Sequence, residues 1–332
     1  MNGFGTAALD AFLRGALPGL EGSVRLEAIA GGQSNPTFFV TYDNRRLVLR
    51  KQPAGELLPS AHAVDREHRI ISALAATDVP VPPALLFCDD RSVVGTPFYV
   101  MERVDGRVFH DCTLPGVAPA DRAAMYAAMA RILAALHNVD VAAVGLADYG
   151  RPGNYFARQV SRWSRQWEQS RTREDANIER LIAWLPANIP ADDTTSLVHG
   201  DYRIGNLMFH PTEPRVVALL DWELSTLGHP LADLAHSAMA WLSQPDEYGG
   251  LKGLDIDTLG IPALEPYLAI YDTEARHGVR MTNFHMAFAL FRWSMIFEGI
   301  AARAKAGTAA SDNAAETGRL AAAFSRRAVD LT

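Results

Sequence analysis

Apolar and polar positions change rhythm several times along this chain, and the changes mark out its elements. After a first helix, VRLEAIAGGQSNPTFFVTYDNRRLVLRK carries short apolar runs broken at Gly31-Gly32 and at Asp43-Asn44. Both breaks are turn formers, so the segment predicts three short strands in an antiparallel meander. In SAHAVDREHRIISALAATDVPVP the apolar positions move to helical spacing, through Val64, Ile71 and Leu74, with Ser60 placed to cap the helix and Pro80 and Pro82 to end it. Strands ALLFC and PFYVMERV follow. Long helical stretches are expected around 119–138, 153–185 and from about 262 onward. Between them lies a β-rich island, SLVHGDYRIGNLMFHPTEPRVVALLDWE, in which Pro211 to Pro214 turn one strand back toward the next.

A small β-rich part followed by a larger, mainly helical part predicts an α+β fold of two lobes, 1–103 and 104–332, with a cleft between them. The length of 332 residues and a hydrophobic content of 48% suit such a pair of cores. A net charge of −7 provides no basic field for nucleic acid or an anionic membrane surface, so neither is expected as a partner. The opening MNGFGTAALDAFLRGALPGLEG lacks a basic stretch leading into an apolar core, and no long uncharged apolar run occurs elsewhere. A soluble, cytoplasmic protein is expected. Cys88 and Cys112 form no CxxC pair, which suits a reducing compartment and small packing roles.

The candidate chemistry sits in the β-island. VVALLDWE is a short apolar strand ending in Asp221, and an acid at the edge of a buried strand needs a compensating cation. Asn206 offers a second hard oxygen, and Asp201, in HGDYRIGN, stands at the mouth of the same loop, able to accept a proton from a substrate hydroxyl. Taken singly, each residue has an ordinary use as a turn acid, turn amide or strand-end cap. Taken together in this order, they suit Mg²⁺, which binds through one or two carboxylates plus an amide oxygen and leaves its other positions to water and nucleotide phosphates.

HGDYRIGN followed by LLDWE resembles the H-G-D-x-x-x-x-N loop and the D-x-E metal strand of the aminoglycoside phosphotransferase and choline kinase-like family, relatives of the eukaryotic protein kinases. The similarity extends over nearly the whole chain. It implies a protein-kinase-like two-lobed fold, ATP and Mg²⁺ as cofactors, Asp201 as general base, Asn206 and Asp221 as metal ligands, and His199 as a support for the loop. Gly200 stands where protein kinases place the Arg that senses a phosphorylated activation loop, so that mode of control is not expected. RRLVLRK matches the third strand of the family, with Arg50 at the position of the phosphate-binding Lys and Lys51 as the alternative should the strand be shifted by one. Glu67, a charge inside the apolar stripe of the following helix, is the expected partner of whichever cation is used, the alternative being an acid at the edge of the stripe that reaches solvent. GGQSNPTF sits where a kinase Gly-rich loop would, without being G-x-G-x-x-G; Gly32, Ser34 and Asn35 are its candidate phosphate donors. PFYVMERVDGR resembles the strand that leads into the interlobe hinge, which puts Met101, Glu102 and Val104 near adenine; an ordinary edge strand is the equal alternative. LGHPLADLAHSA matches the segment after the metal strand, and Asp233 is expected to brace the catalytic loop.

The acceptor is less sharply written. In NYFARQVSRWSRQWEQSRT, Phe156, Val160, Trp163 and Trp167 make a core stripe, while Arg158, Arg162 and Arg165 project from the other side, as a solvated face or as a docking surface for an anionic substrate. In FRWSMIFEGIAARAKAG, Phe291 and Met295 read as core, with Arg292 and Glu298 as candidate cleft residues. No dense acidic cluster awaits a polycationic aminoglycoside. These stretches resemble the branch of the family found joined to, or beside, acyl-CoA dehydrogenases, which implies phosphorylation of a hydroxyl on an acyl-CoA; Glu298 stands where that branch more often has Gln. The leading expectation is therefore a small-molecule kinase acting on a hydroxylated substrate, a hydroxyacyl-CoA ahead of an aminoglycoside, amino alcohol or sugar. A nucleotide-binding module without transfer is the alternative from another class.

Overall fold

A computed structural model describes residues 4–29, 35–55, 62–247, 249–307 and 314–332. The first part comprises α1 (Thr6–Ala16), β1 (Arg25–Ala28), β2 (Thr37–Thr41), β3 (Arg46–Lys51), α2 (Val64–Leu74), β4 (Ala84–Cys88), α3 (Arg91–Val94) and β5 (Phe98–Glu102). Its strands form one antiparallel sheet in the order β1-β2-β3-β5-β4. Alternation along β3 decides what each face does. Leu47 and Leu49 are fully buried against Leu9 and Leu13 of α1, whereas Val48 and Arg50 face the other way. On α2, Val64, Glu67, Ile70, Ile71 and Leu74 make up the buried stripe, so the helix lays one carboxylate among its apolar residues. Its N-cap is Ala63, with no side-chain cap; Ser60, expected there, lies outside the described residues.

The second part opens with β6 (Arg107–Val108) and continues through α4 (Pro119–His137), α5 (Tyr155–Ser170), α6 (Ala176–Ala187), β7 (Ser196–Val198), β8 (Leu207–Phe209), β9 (Val216–Leu219), β10 (Thr226–Gly228) and α7 (Pro230–Ser237). It ends with α8 (Met239–Leu242), α9 (Ile256–Leu259), α10 (Leu264–Glu274), α11 (Asn283–Lys305), α12 (Ala314–Gly318) and α13 (Leu320–Val329). The helix expected over 153–185 is in fact two: Asp175 accepts from the backbone N–H groups of Asn177 and Ile178 and starts α6 afresh. The predicted β-island is present, but its pairings are partly non-local. β8 sits between β9 and β6, and β7 pairs with β10, a strand not expected from the pattern.

One core runs continuously from the α2 side of the first sheet into the helical part, bringing Ile71 and Tyr99 together with Leu197, Leu219 and Trp222. A second core joins α5, α6, α11 and α13, and Phe156, Val160, Trp163 and Trp167 are all buried in it. Phe291 and Met295 are buried there too. Among the described residues, no helix is long and apolar enough to cross a membrane.

Candidate active site

β7 delivers the chain into HGDYRIGN, and α7 holds it there. Pro230 opens α7 at its first turn, where its missing N–H costs nothing, and Asp233 then faces the loop from inside the protein. Its carboxylate accepts from the backbone N–H groups of His199 at 2.5 Å and Gly200 at 2.9 Å. Gly200 has a φ of +85°, and a Cβ there would lie 2.5 Å from the Leu224 carbonyl oxygen. Only glycine fits. His199 Nε2 donates to the Leu220 carbonyl oxygen at 2.8 Å, while Nδ1 accepts from the Asp201 N–H at 3.2 Å. Those two partners fix the tautomer and make His199 a tie between the loop and the end of β9. Arg292, from α11, donates to the Gly200 carbonyl oxygen at 2.6 Å.

Asp201 is held by three side chains. His236 Nε2 lies 3.0 Å from Oδ1; Asn206 Nδ2 at 2.9 Å and Arg203 Nε at 3.2 Å both lie on Oδ2. Burial works to raise the Asp201 pKa, but the His236 hydrogen bond, with Arg203 and His199 nearby, wins and holds it well below the ordinary carboxylate range. Asp201 is thus an ionised acceptor at neutral pH. Asn206 Nδ2 also donates to the Asp201 carbonyl oxygen at 2.8 Å. Both partners are acceptors, so the amide nitrogen must face Asp201, which leaves the amide oxygen for other partners.

A second cluster spans the cleft. Arg50 Nη2 lies 2.9 Å from Asp221 Oδ1 and 3.9 Å from Glu223 Oε2, and Arg50 Nε lies 2.9 Å from Glu67 Oε2. Asp221 follows β9 in the left-handed region, φ +64°, a conformation that a short polar side chain tolerates and that aims it out of the strand. Glu67 is buried and also accepts from Asn35 Nδ2 at 2.6 Å and from the Tyr99 hydroxyl at 3.1 Å. Burial pushes its pKa up to about 7, against the pull of Arg50.

Two cavities flank the HGDYRIGN loop. A cavity of about 470 Å³ between sheet and helical part is bordered by Val48, Arg50, Asn206 and Asp221. On the other side a cavity of about 370 Å³ is bordered by Arg203, His236, Met129, Met239, Trp293 and Phe324. The loop itself divides them, with Arg203 and Ile204 lining the second and Gly205 and Asn206 the first. Cys112 borders the second cavity, and burial pushes its thiol up to about 11, which makes it a poor nucleophile.

The remaining predicted residues divide. Met101, Glu102 and Val104 all border the larger cavity, although the Glu102 carboxylate is paired with Arg45. Lys51 does not reach the cleft: its Nζ donates to the Val94 carbonyl oxygen and lies 4.7 Å from the Phe4 ring, on the opposite face of the sheet from Arg50. Asn35 is not a free phosphate donor, because its amide is committed to Glu67 and to His62. Gly32 and Ser34 lie outside the described residues. Glu298 is not in the cleft either; it is buried and bound by Arg173 and by the Thr172 N–H and hydroxyl, closing the α5–α6 connection. Arg158 donates to the Arg151 carbonyl oxygen and Arg162 lies over the Trp163 ring, both on the exposed face of α5 and neither at a cavity described above.

His236 and Arg203 were absent from the sequence-derived site. Both carried a signal. His236 is three residues after Asp233 on a helix, a spacing that puts the two on one face, and Arg203 is two residues from Asp201.

Comparison with known proteins places this geometry in context. Acyl-CoA dehydrogenase family member 10 of Mus musculus is 43% identical over 329 residues, which is 98% of this chain and 31% of that protein. Acyl-CoA dehydrogenase family member 11 of Gallus gallus is 40% identical over 345 residues, 99% of this chain and 44% of the relative. The chain thus spans less than half of the length of these relatives. A crystal structure from Ralstonia eutropha JMP134, provisionally assigned as an aminoglycoside phosphotransferase, superimposes with a TM-score of 0.91 at 44% identity, covering 99% of this chain and 98% of that one. The model of the phosphotransferase enzyme family APH matches residues 25–277, and the chain belongs to that family.

Proposed function

We propose that the chain transfers the γ-phosphoryl group of ATP to the hydroxyl of a small molecule, with a hydroxyacyl-CoA as the favoured acceptor. The observation that carries this reading is the pairing of Asp201 with Asn206 at 2.9 Å in the β-island and of Asp221, from the same island, with Arg50 of the sheet at 2.9 Å across the cleft. Asn206 and Asp221 are the residues that would hold Mg²⁺. They fit it: the Asn206 nitrogen is committed to Asp201, which leaves a hard amide oxygen, and Asp221 adds a carboxylate, the sparse oxygen set that Mg²⁺ accepts. When bound, the ion supplies charge neutralisation at the transferring phosphoryl group.

The chain's own residues do the rest. Arg50, oriented by buried Glu67, offers a guanidinium to phosphate oxygens in the larger cavity. Asp201, kept ionised, accepts the proton of the acceptor hydroxyl and aims its oxygen for an in-line displacement. Met101 and Val104 border the larger cavity where the base of a nucleotide would lie.

Support for the acceptor class comes from the second cavity. Met129, Met239, Trp293 and Phe324 make it apolar, Arg203, paired with Asp201, adds a guanidinium to its wall, and no Asp or Glu is among its described lining residues. An acyl chain bearing a hydroxyl suits those walls; a polycation does not. The names of the relatives point the same way. The test is transfer of ³²P from [γ-³²P]ATP with Mg²⁺ to a panel of hydroxyacyl-CoAs, amino alcohols, sugars and aminoglycosides. Label on a hydroxyacyl-CoA is the expected result. Nucleotide binding with no labelled product across the panel would leave only a binding module.

A further inference from the structure

We propose that His236 is a positioning residue for this transfer, one that fixes Asp201 Oδ1 and leaves the carboxylate a single open direction for the acceptor hydroxyl. The inference rests on the phosphotransfer reading above. An ionised carboxylate has about four lone-pair directions. Three of them are taken here, two on Oδ2 by Asn206 and Arg203 and one on Oδ1 by His236. The direction left is on Oδ1, the oxygen bound by a ring that itself borders the smaller cavity. Without His236 that oxygen has no protein donor among the described residues, and only the Oδ2 side of the carboxylate, held by Asn206 and Arg203, stays anchored.

The surroundings of His236 are those of a fixed support. The residue is 4% exposed, and its ring lies stacked on Trp293, with centroids 5.2 Å apart and planes 23° from parallel. Its Nδ1 is buried and has no hydrogen-bond partner among the described residues. Because the Asp201 carboxylate can only accept, the imidazole proton belongs on Nε2, and the bare Nδ1 is then an unused acceptor rather than a stranded donor. Burial pushes the His236 pKa down, against Asp201, with Arg292 adding to the downward push and Asp233 opposing it, so the ring is neutral at pH 7. A neutral ring gives direction without cancelling the negative charge that Asp201 needs as a base.

Two substitutions separate positioning from packing. In His236→Gln the side-chain amide carries an N–H at nearly the reach of Nε2; His236→Leu keeps the bulk and removes the donor. Steady-state rates would be measured with MgATP and the acceptor found in the panel, or with water as acceptor through ATP hydrolysis. For H236L, kcat is expected to fall roughly 10- to 100-fold with KM for ATP within about twofold, and H236Q is expected to restore most of it. Equal rates for wild type and H236L, equal losses in H236L and H236Q, or a loss confined to KM for ATP would overturn the inference. Should H236L not fold, ¹⁵N NMR of the wild-type ring decides: a proton on Nε2 upholds the inference, and a proton on Nδ1 with bare Nε2 overturns it. A wild-type protein that turns over no ATP with any acceptor overturns the phosphotransfer reading and the inference with it. An active wild type matched by H236L overturns the inference alone.

Discussion

Arg50 and Asp221, 171 positions apart in sequence, meet at 2.9 Å across the cleft, and this ion pair ties the sheet of the first part to the β-island of the second. Arg50 faces two carboxylates at once, since Glu67 Oε2 forms an ion pair at 2.9 Å from its Nε. Removing Arg50 would therefore have two separable effects. Arg50→Met is expected to lower stability by about 1 kcal/mol near pH 7 and by more as pH rises, because the buried Glu67, already at a pKa of about 7 beside Arg50, then has to hold its proton. It is also expected to raise KM for ATP. In the double variant Arg50→Met, Glu67→Leu, stability should largely return while ATP binding stays weak. Thermal melts with parallel nucleotide titrations check both; recovery of ATP affinity in the double variant would show that Arg50 does not meet the nucleotide.

Glu67 also sets a pH dependence. Its folded pKa of about 7 lies above the ordinary 4.5, so between those values the folded protein holds a proton that the unfolded chain has released. The sign follows: this group's contribution falls as pH rises through that window, by about 3 kcal/mol in all. Denaturant melts at pH 4.5, 5.5, 6.5 and 7.5 should show the decline in wild type and a flatter profile in Glu67→Gln. Identical slopes in the two proteins would contradict the assignment.

Much of this site was legible in the sequence, for reasons that particular residues make plain. Asp201, Asn206 and Asp221 could be grouped because loop spacing and a strand-end acid are local features. Glu67 stood out as a charge within an apolar helical stripe, a conflict that only a buried partner resolves. The choice between Arg50 and Lys51 stayed open, since alternation separates the two faces of β3 without saying which one meets the cleft. That depends on α1 and Phe4 covering the Lys51 side. The contacts of Asn35 and Glu298 are not legible in the sequence, because the groups they hold, Glu67 and the 172–173 segment, are distant in sequence and no periodicity announces them. The split between α5 and α6 is written in Asp175, an N-cap acid set inside a longer helical pattern.

Gly200 is expected to tolerate no side chain. Gly200→Ala would force a Cβ to within 2.5 Å of the Leu224 carbonyl oxygen at a φ of +85°. A loss of roughly 1–3 kcal/mol in stability is expected, from strain alone before any repacking. Activity should fall further than stability at permissive temperature, because the displaced residue precedes Asp201. A melting temperature equal to that of wild type would count against the tight fit.

Asp233 holds the loop through two backbone N–H groups at once, which an amide cannot reproduce with its single oxygen. Asp233→Asn is therefore expected to speed hydrogen exchange at the His199 and Gly200 amides and to lower kcat. Unchanged exchange at both amides would mean that the loop is held by other contacts.

Whether Asp201 is the base is decided by single-turnover phosphoryl transfer in Asp201→Asn, with ATP affinity measured on the same preparation. Transfer to the best acceptor is expected to fall by roughly 10²- to 10⁴-fold with ATP affinity little changed. Near-normal transfer by Asp201→Asn, with ATP bound as in wild type, would contradict that role.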